Sequence, residues 1–295
     1  MVQPPKSSYV TVNGIRLHYL DWGGNGPPIL LLHATGFLGR IYRPIARALT
    51  AVGHVLSYDQ RGQGDSGPST VARYNWMASF ADLCGFLSVM DLQGVLGFGH
   101  SAGATLIGAL AAERPDLISC AVLVEPVLFI RDDPVIAQRG PLLIARTLKR
   151  RARFASVDDT FENFHGKPPF HSWRPDILRD YCEYGTRPDP EGGRRLKCAP
   201  ETEAAFYQSA REFDGWSAIR QCQAPLLVIF GDSSEAAGAH LRGQVAQELA
   251  NGRVVTIAGA THFAPMEKPD EIAQMAVQFF ADFLNRKPGA PSDPP

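Results

Sequence analysis

The segment of this 295-residue chain best arranged for covalent chemistry is Gly99-His100-Ser101-Ala102-Gly103. It closes an apolar run at 94–99 and opens a stretch rich in Ala and Leu. A strand that turns into a helix within one residue leaves that residue strained, with an expected positive φ, and glycine neighbours give the turn room. Ser101 is therefore expected to project above the sheet as a nucleophile. The free amides at the start of the helix face the same space, so the Ala102 N–H is expected to stabilise a developing oxyanion. A serine hydroxyl is a weak nucleophile at neutral pH, so such a site also needs a base and a group that orients the base.

Those groups must be brought together by a sheet. Residues 9–12 and 15–21 alternate apolar and polar types around Asn13-Gly14, a dipeptide suited to a two-residue hairpin turn. Continuous apolar runs follow at 29–33, 54–59, 94–99, 121–125, 226–231 and 254–258, too uninterrupted for half-exposed strands. Helix-length segments at about 40–51, 77–90, 102–113, 239–250 and 268–285 separate most of them. That rhythm predicts an α/β fold with about eight strands, mostly parallel, flanked by helices. The 100 residues between Glu125 and Pro225 exceed any ordinary crossover, so an inserted helical cap is expected at 127–215, between core segments 1–126 and 216–286. The Pro- and Gly-rich end, 287–295, is expected to be a disordered tail.

The cap carries a basic run, Lys149-Arg150-Arg151-Ala152-Arg153, and aromatics that include Phe154, Phe164, Trp173 and Tyr181. The run reads as a solvated helical face or as a surface for acidic partners. The aromatics point to an apolar acyl or aromatic substrate, or form the cap's own core.

With these motifs in place the chain resembles the α/β-hydrolase superfamily over nearly all of its length outside the cap. Leu31-Leu32-His33-Ala34-Thr35-Gly36-Phe37 resembles that family's H-G-x loop, whose backbone supplies the second oxyanion donor. The resemblance assigns this to Thr35 or a neighbour, with Ala34 where glycine is usual, and sets Phe37 beside the substrate. Tyr58-Asp59-Gln60-Arg61-Gly62-Gln63-Gly64-Asp65-Ser66 is similar to a structural glycine-rich turn of the family, in which Asp59 and Arg61 pair with each other or with backbone. Gly259-Ala260-Thr261-His262-Phe263 resembles the histidine loop after the last strand, which makes His262 the general base. His33 and His100 flank the site without an assigned role.

The acid has several candidates. In most of the superfamily it lies three residues after the glycine that ends the seventh strand, and here Ser234 occupies that place between Asp232 and Glu235. Other branches take it from the end of the sixth strand, where Glu125 stands 24 residues after Ser101, one helix and one strand on. A carboxylate ending an apolar strand needs a cation or several donors, which suits an imidazolium partner. Glu125 is the choice, Asp232 and Glu235 are alternatives, and a structural Glu125 paired with a cap arginine is the remaining reading.

Several function classes recede. Lys and Arg number 29 against 30 for Asp and Glu, and a net charge of −1 gives no field for nucleic acid or anionic membrane. Five scattered cysteines without a C-x-x-C pair argue against a disulfide framework or structural zinc. With no metal-ligand spacing or phosphate loop, no cofactor or metal is expected. There is no apolar leader segment, and no apolar stretch reaches the about 18 residues of a membrane span, so a cytoplasmic protein is expected. Gly97-Phe98-Gly99-His100-Ser101-Ala102 also fits a dinucleotide pattern, but that motif belongs after a first strand, whereas four precede it here. Ser101 excludes the aspartate-nucleophile chemistry of haloalkane and epoxide hydrolases. The sequence thus predicts a serine hydrolase for a small to medium, apolar ester or lactone. A C–C bond hydrolase on a ketone, or a hydrolase-fold receptor with little turnover, is the alternative. It carries no sign of an oligomeric state.

Overall fold

Asn13 and Gly14 both adopt positive φ, 50° and 76°, as a two-residue turn matched to strand twist requires. They join β1 (Lys6–Val12) to β2 (Ile15–Gly23) as an antiparallel pair with Val12 opposite Ile15. The computed structural model describes residues 3–68, 74–128 and 134–286. The tail expected at 287–295 lies outside the described residues.

Six further core strands follow: β3 (Pro28–Leu32), β4 (His54–Tyr58), β5 (Val95–His100), β6 (Ile118–Val124), β7 (Leu226–Gly231) and β8 (Gly252–Ile257). The eight-stranded sheet has the order β1-β2-β4-β3-β5-β6-β7-β8, and only β2 runs against its neighbours. The order reverses between β3 and β5, so the loops leaving these strands diverge and open a crevice at the carboxyl edge.

Helices sit on both faces, which is why the central strands are apolar throughout. In chain order the core helices before the insertion are α1 (Arg43–Leu49), α2 (Trp76–Val89) and α3 (Ala102–Glu113). The insertion contributes α4 (Pro134–Leu148), α5 (Val157–His165), α6 (Pro175–Tyr184) and α7 (Pro200–Ser209). After it come α8 (Gly215–Ile219), α9 (Ala239–Glu248), α10 (Ala264–Glu267) and α11 (Pro269–Asn285). Leu30 and Leu32 meet Phe86, Ile107 and Ile219 from α2, α3 and α8. Ile29 and Leu31, pointing the other way, join Ile45, Ile272 and Phe280 from α1 and α11. Burying each such side chain is worth about 1.5–3 kcal/mol, and with all five cysteines free this packing holds the carboxyl edge in place.

Three sequence expectations change. The helix expected over 40–51 is a 3-10 turn, Gly39–Tyr42, followed by α1; Pro44 lies in the first turn of α1, where its missing N–H costs nothing. The insertion is not purely helical. Arg153–Phe154, Thr186–Pro188 and Arg194–Leu196 form a small antiparallel sheet, whose hairpin turns through Gly192 and Gly193 at φ 98° and 72°. The basic run follows α4 rather than forming a helical face, and although Lys149, Arg151 and Arg153 are exposed, its arginines already meet acids of the chain. Arg150 pairs with Glu203, Arg151 with Asp159, and Arg153 with Asp189 and Glu191. No helix among the described residues is long and apolar enough to cross a membrane.

Candidate active site

Ser101 stands between the end of β5 and the start of α3 with φ 55° and ψ −120°, a conformation that L-residues hold only when the surroundings impose it. Its N–H bonds the Val124 carbonyl at 2.9 Å. The flanking glycines are needed for contact rather than flexibility. A Cβ on Gly99 would lie 2.5 Å from the Ala104 Cα, and one on Gly103 would strike the Leu32 carbonyl and lie 2.7 Å from the His33 oxygen. The start of α3 is therefore pressed against the end of β3, which brings the Ala102 amide beside the loop that follows β3.

In that loop the Ala34 N–H is taken by the Tyr42 hydroxyl (3.1 Å), the Gly36 N–H by Gln63 Oε1 (2.6 Å) and the Phe37 N–H by the Ala34 carbonyl (3.2 Å). The Thr35 amide is the remaining donor of the four, with no acceptor among the described residues. Ala102 is at the first position of α3, where a helix provides no internal acceptor.

The loop after β8 brings His262 to Ser101. His262 Nε2 is 3.0 Å from Ser101 Oγ, and Nδ1 is 3.1 Å from Glu125 Oε2. Glu125 follows β6 directly at φ 51° and is 1% exposed. Its carboxylate also accepts the Gly231 N–H and the Ser234 hydroxyl, both at 2.6 Å, so the desolvated charge has three donors. The loop carrying His262 is braced by Glu267, which accepts from the Thr261 amide and hydroxyl at 2.7 Å each and from Ser172 of the insertion at 2.6 Å.

Among the sequence candidates, Ser101, His262 and Glu125 meet; Asp232 and Glu235 are exposed. Asp232 instead accepts the Gly259 N–H and the Ser233 hydroxyl, both at 2.8 Å. Ser234, at the place where the common arrangement puts the acid, donates to the Glu125 carboxylate instead. Its spacing from Gly231 marked the position, but not that a hydroxyl there would assist a carboxylate from a neighbouring strand. The cap-arginine reading of Glu125 finds Arg150 on Glu203 and Tyr181 instead.

Phe37 is largely buried. Its ring meets Trp173 (5.2 Å), Tyr181 (5.5 Å) and Phe263 (6.1 Å) edge-on, so the aromatics of the insertion pack with one another and onto the loop after β3. Glu203 closes over that loop: a Cβ on Gly36 would lie 2.8 Å from its carboxyl carbon. Nothing in the sequence pattern marked Tyr42.

The glycine-rich turn after β4 meets expectation at Asp59, which takes backbone amides, and departs from it at Arg61. Asp59 takes His18 Nδ1 (2.8 Å) and the amides of Gly39 and Asp65, whereas Arg61 grips Asp82 of α2 with two bonds of 2.6 and 2.7 Å. These two residues are tied to separate elements, and the turn is held from both sides. Burial keeps His33 neutral by lowering its pKa, and its Nε2 accepts the Gln60 N–H at 2.9 Å.

The model of the Alpha/beta hydrolase family matches residues 29–275 of the chain. A putative non-heme bromoperoxidase, BpoC, of Mycobacterium tuberculosis is 25% identical over 90% of this chain and 98% of its own length. The 2-(acetamidomethylene)succinate hydrolase of Mesorhizobium japonicum is 27% identical over 88% of this chain and 89% of its own. The crystal structure of an E-2-(acetamidomethylene)succinate hydrolase superposes with a TM-score of 0.84 at 24% identity, covering 94% of this chain and 99% of that one.

Proposed function

The chain belongs to the alpha/beta hydrolase family, and on that premise we propose that it is a serine hydrolase, opening a small to medium, apolar carboxylic ester or lactone through an acyl-enzyme. The continuous hydrogen-bonded run from Ser101 Oγ through both nitrogens of His262 to Glu125 supports this most directly. In the proposed cycle His262 Nε2 takes the Oγ proton as Oγ attacks the carbonyl carbon, and the electron pair of the C=O bond moves onto its oxygen. The Thr35 and Ala102 amides hold that oxyanion, and Glu125 keeps Nδ1 protonated and stabilises the imidazolium. Collapse breaks the bond to the leaving oxygen, which receives the proton from Nε2. Water then repeats the sequence: Nε2 takes its proton as its oxygen bonds the acyl carbon, the acyl–Oγ bond breaks, Oγ takes the proton back from Nε2, and the carboxylic acid leaves.

The substrate class rests on the aromatic side. Phe263, half-buried beside His262, offers apolar contact to an acyl chain, with Phe37 and Trp173 packed behind it. Residues 127–215 are taken as the cap over this site. The test is a stopped-flow trace with 4-nitrophenyl butyrate: a burst of nitrophenol equal to the enzyme concentration, then slower turnover, both absent from Ser101→Ala. Turnover retained by Ser101→Ala would overturn the reading.

A further inference from the structure

A second hydrogen-bonded chain runs behind the nucleophile and takes no part in the cycle above. The Tyr42 hydroxyl accepts the Ala34 N–H at 3.1 Å and lies 2.6 Å from His100 Nδ1, and His100 Nε2 lies 2.8 Å from the main-chain carbonyl of His262. A carbonyl oxygen only accepts, so Nε2 must carry the proton, Nδ1 must accept, and Tyr42 must donate to it. Every proton in the relay thus has one direction: Ala34 N–H to Tyr42, Tyr42 O–H to His100, His100 Nε2–H to His262. Tyr42 and His100 are both buried, at 1% and 0% exposure. Burial first, and then the neighbouring His262, push the His100 imidazole well below its ordinary range, which keeps it neutral.

We propose that His100 and Tyr42 are positioning residues that lock the loop of the base to the nucleophile turn and to the oxyanion loop, an inference that rests on the serine-hydrolase reading. Ala34 precedes Thr35, His100 precedes Ser101, and the third contact is to His262 itself. The relay therefore fixes the backbone at all three working positions relative to one another. The opposite tautomer would place a bare Nε2 against the His262 carbonyl and release that loop. A neutral His100 matters for a second reason: its ring centroid is 5.4 Å from that of His262, where a second cation would oppose formation of the imidazolium.

Gln and Asn separate the two ends of the relay. The His100→Gln amide nitrogen falls near the Nε2 position and can still donate to the His262 carbonyl, whereas His100→Asn can meet Tyr42 but cannot reach His262. The experiment measures the rate of Ser101 modification by a fluorophosphonate, with kcat and KM for 4-nitrophenyl butyrate, in wild type, both variants and Tyr42→Phe. Alongside it, imidazole ¹⁵N spectra read the His100 tautomer, and thermal melts check the fold. The expected result is an Nε2–H tautomer from pH 8 to 5.5, labelling and kcat about tenfold or more lower in His100→Asn with KM little changed, and recovery to within about threefold in His100→Gln. Folded His100→Asn labelling at the wild-type rate, His100→Gln no faster than His100→Asn, or an Nδ1–H tautomer would overturn the proposal. If wild type takes no label, the reading of Ser101 fails, and the tautomer still decides the relay.

Discussion

Replacing Glu125 by Gln changes one atom and reverses the logic of the site. The carboxylate accepts from Gly231 and Ser234 at 2.6 Å and from His262 Nδ1 at 3.1 Å, at 1% exposure. A Gln side chain that keeps its oxygen on the Gly231 N–H turns its NH₂ toward Ser234 and His262. Nδ1 must then present a lone pair, Nε2 carries the proton and points it at Ser101 Oγ, and the base is lost. The flipped amide instead sets an NH₂ against the Gly231 N–H, leaving a buried donor unpaired at about 1–3 kcal/mol. A wrong tautomer in a triad costs about 10⁴ in kcat, which at about 1.36 kcal/mol per decade is roughly 5 kcal/mol of barrier. The expected outcome for Glu125→Gln is a kcat drop of about 10³–10⁴ with KM within a few-fold. Asp232→Asn should stay near wild type, because Asp232 bonds Gly259 and Ser233 at the surface. Steady-state kinetics with 4-nitrophenyl butyrate, with circular dichroism to confirm folding, read both. Retention of more than a tenth of kcat in Glu125→Gln, or the large loss falling on Asp232→Asn, would refute the reasoning.

Ser234→Ala removes one of the donors on Glu125; a hydrogen bond to a buried charge is worth about 1.5–3 kcal/mol, so a melting temperature several degrees lower and a kcat reduced about tenfold are expected. An unchanged melt and rate would contradict this. Gly103→Ala places a Cβ against the Leu32 and His33 carbonyls and should cost about 1–3 kcal/mol or more by overpacking against backbone that cannot yield; Gly243→Ala, in open space within α9, should gain roughly 0.5–1 kcal/mol, and urea titrations compare the two. Stability should also fall on acidification. His33 and His100 have pKa values lowered by burial, so below about pH 6.5 the unfolded chain binds protons that the folded chain does not, and the free energy of unfolding drops as pH falls, by up to about 1.4 kcal/mol per unit for each histidine. Their contribution is complete above that range, and a melting temperature constant from pH 7.5 to 5 would contradict it.

The sheet was legible because its strands are buried on both faces and its turns need particular residues: the run at 226–231 coincides with β7, that at 94–99 lies within one residue of β5 at each end, and Asn13-Gly14 turns the first hairpin. Residues 101, 125 and 262 meet because each terminates a strand or its following loop at one edge. Partners set by side chains crossing between elements were not legible. Arg61 reaches Asp82 on a helix that begins 15 residues later, Arg150 turns inward to Glu203, and Tyr42 lies on a helical turn with no distinguishing pattern. The small sheet of the insertion was missed because its strands are two or three residues long, too short for any period to appear.

Fluorophosphonate labelling of the folded protein, with the modified peptide located by mass spectrometry, tests the central claim most directly. The account predicts stoichiometric modification at Ser101, lost on heat denaturation and in Ser101→Ala. Folded protein that turns over an ester while Ser101 stays unmodified, or label on another residue that survives Ser101→Ala, would contradict it.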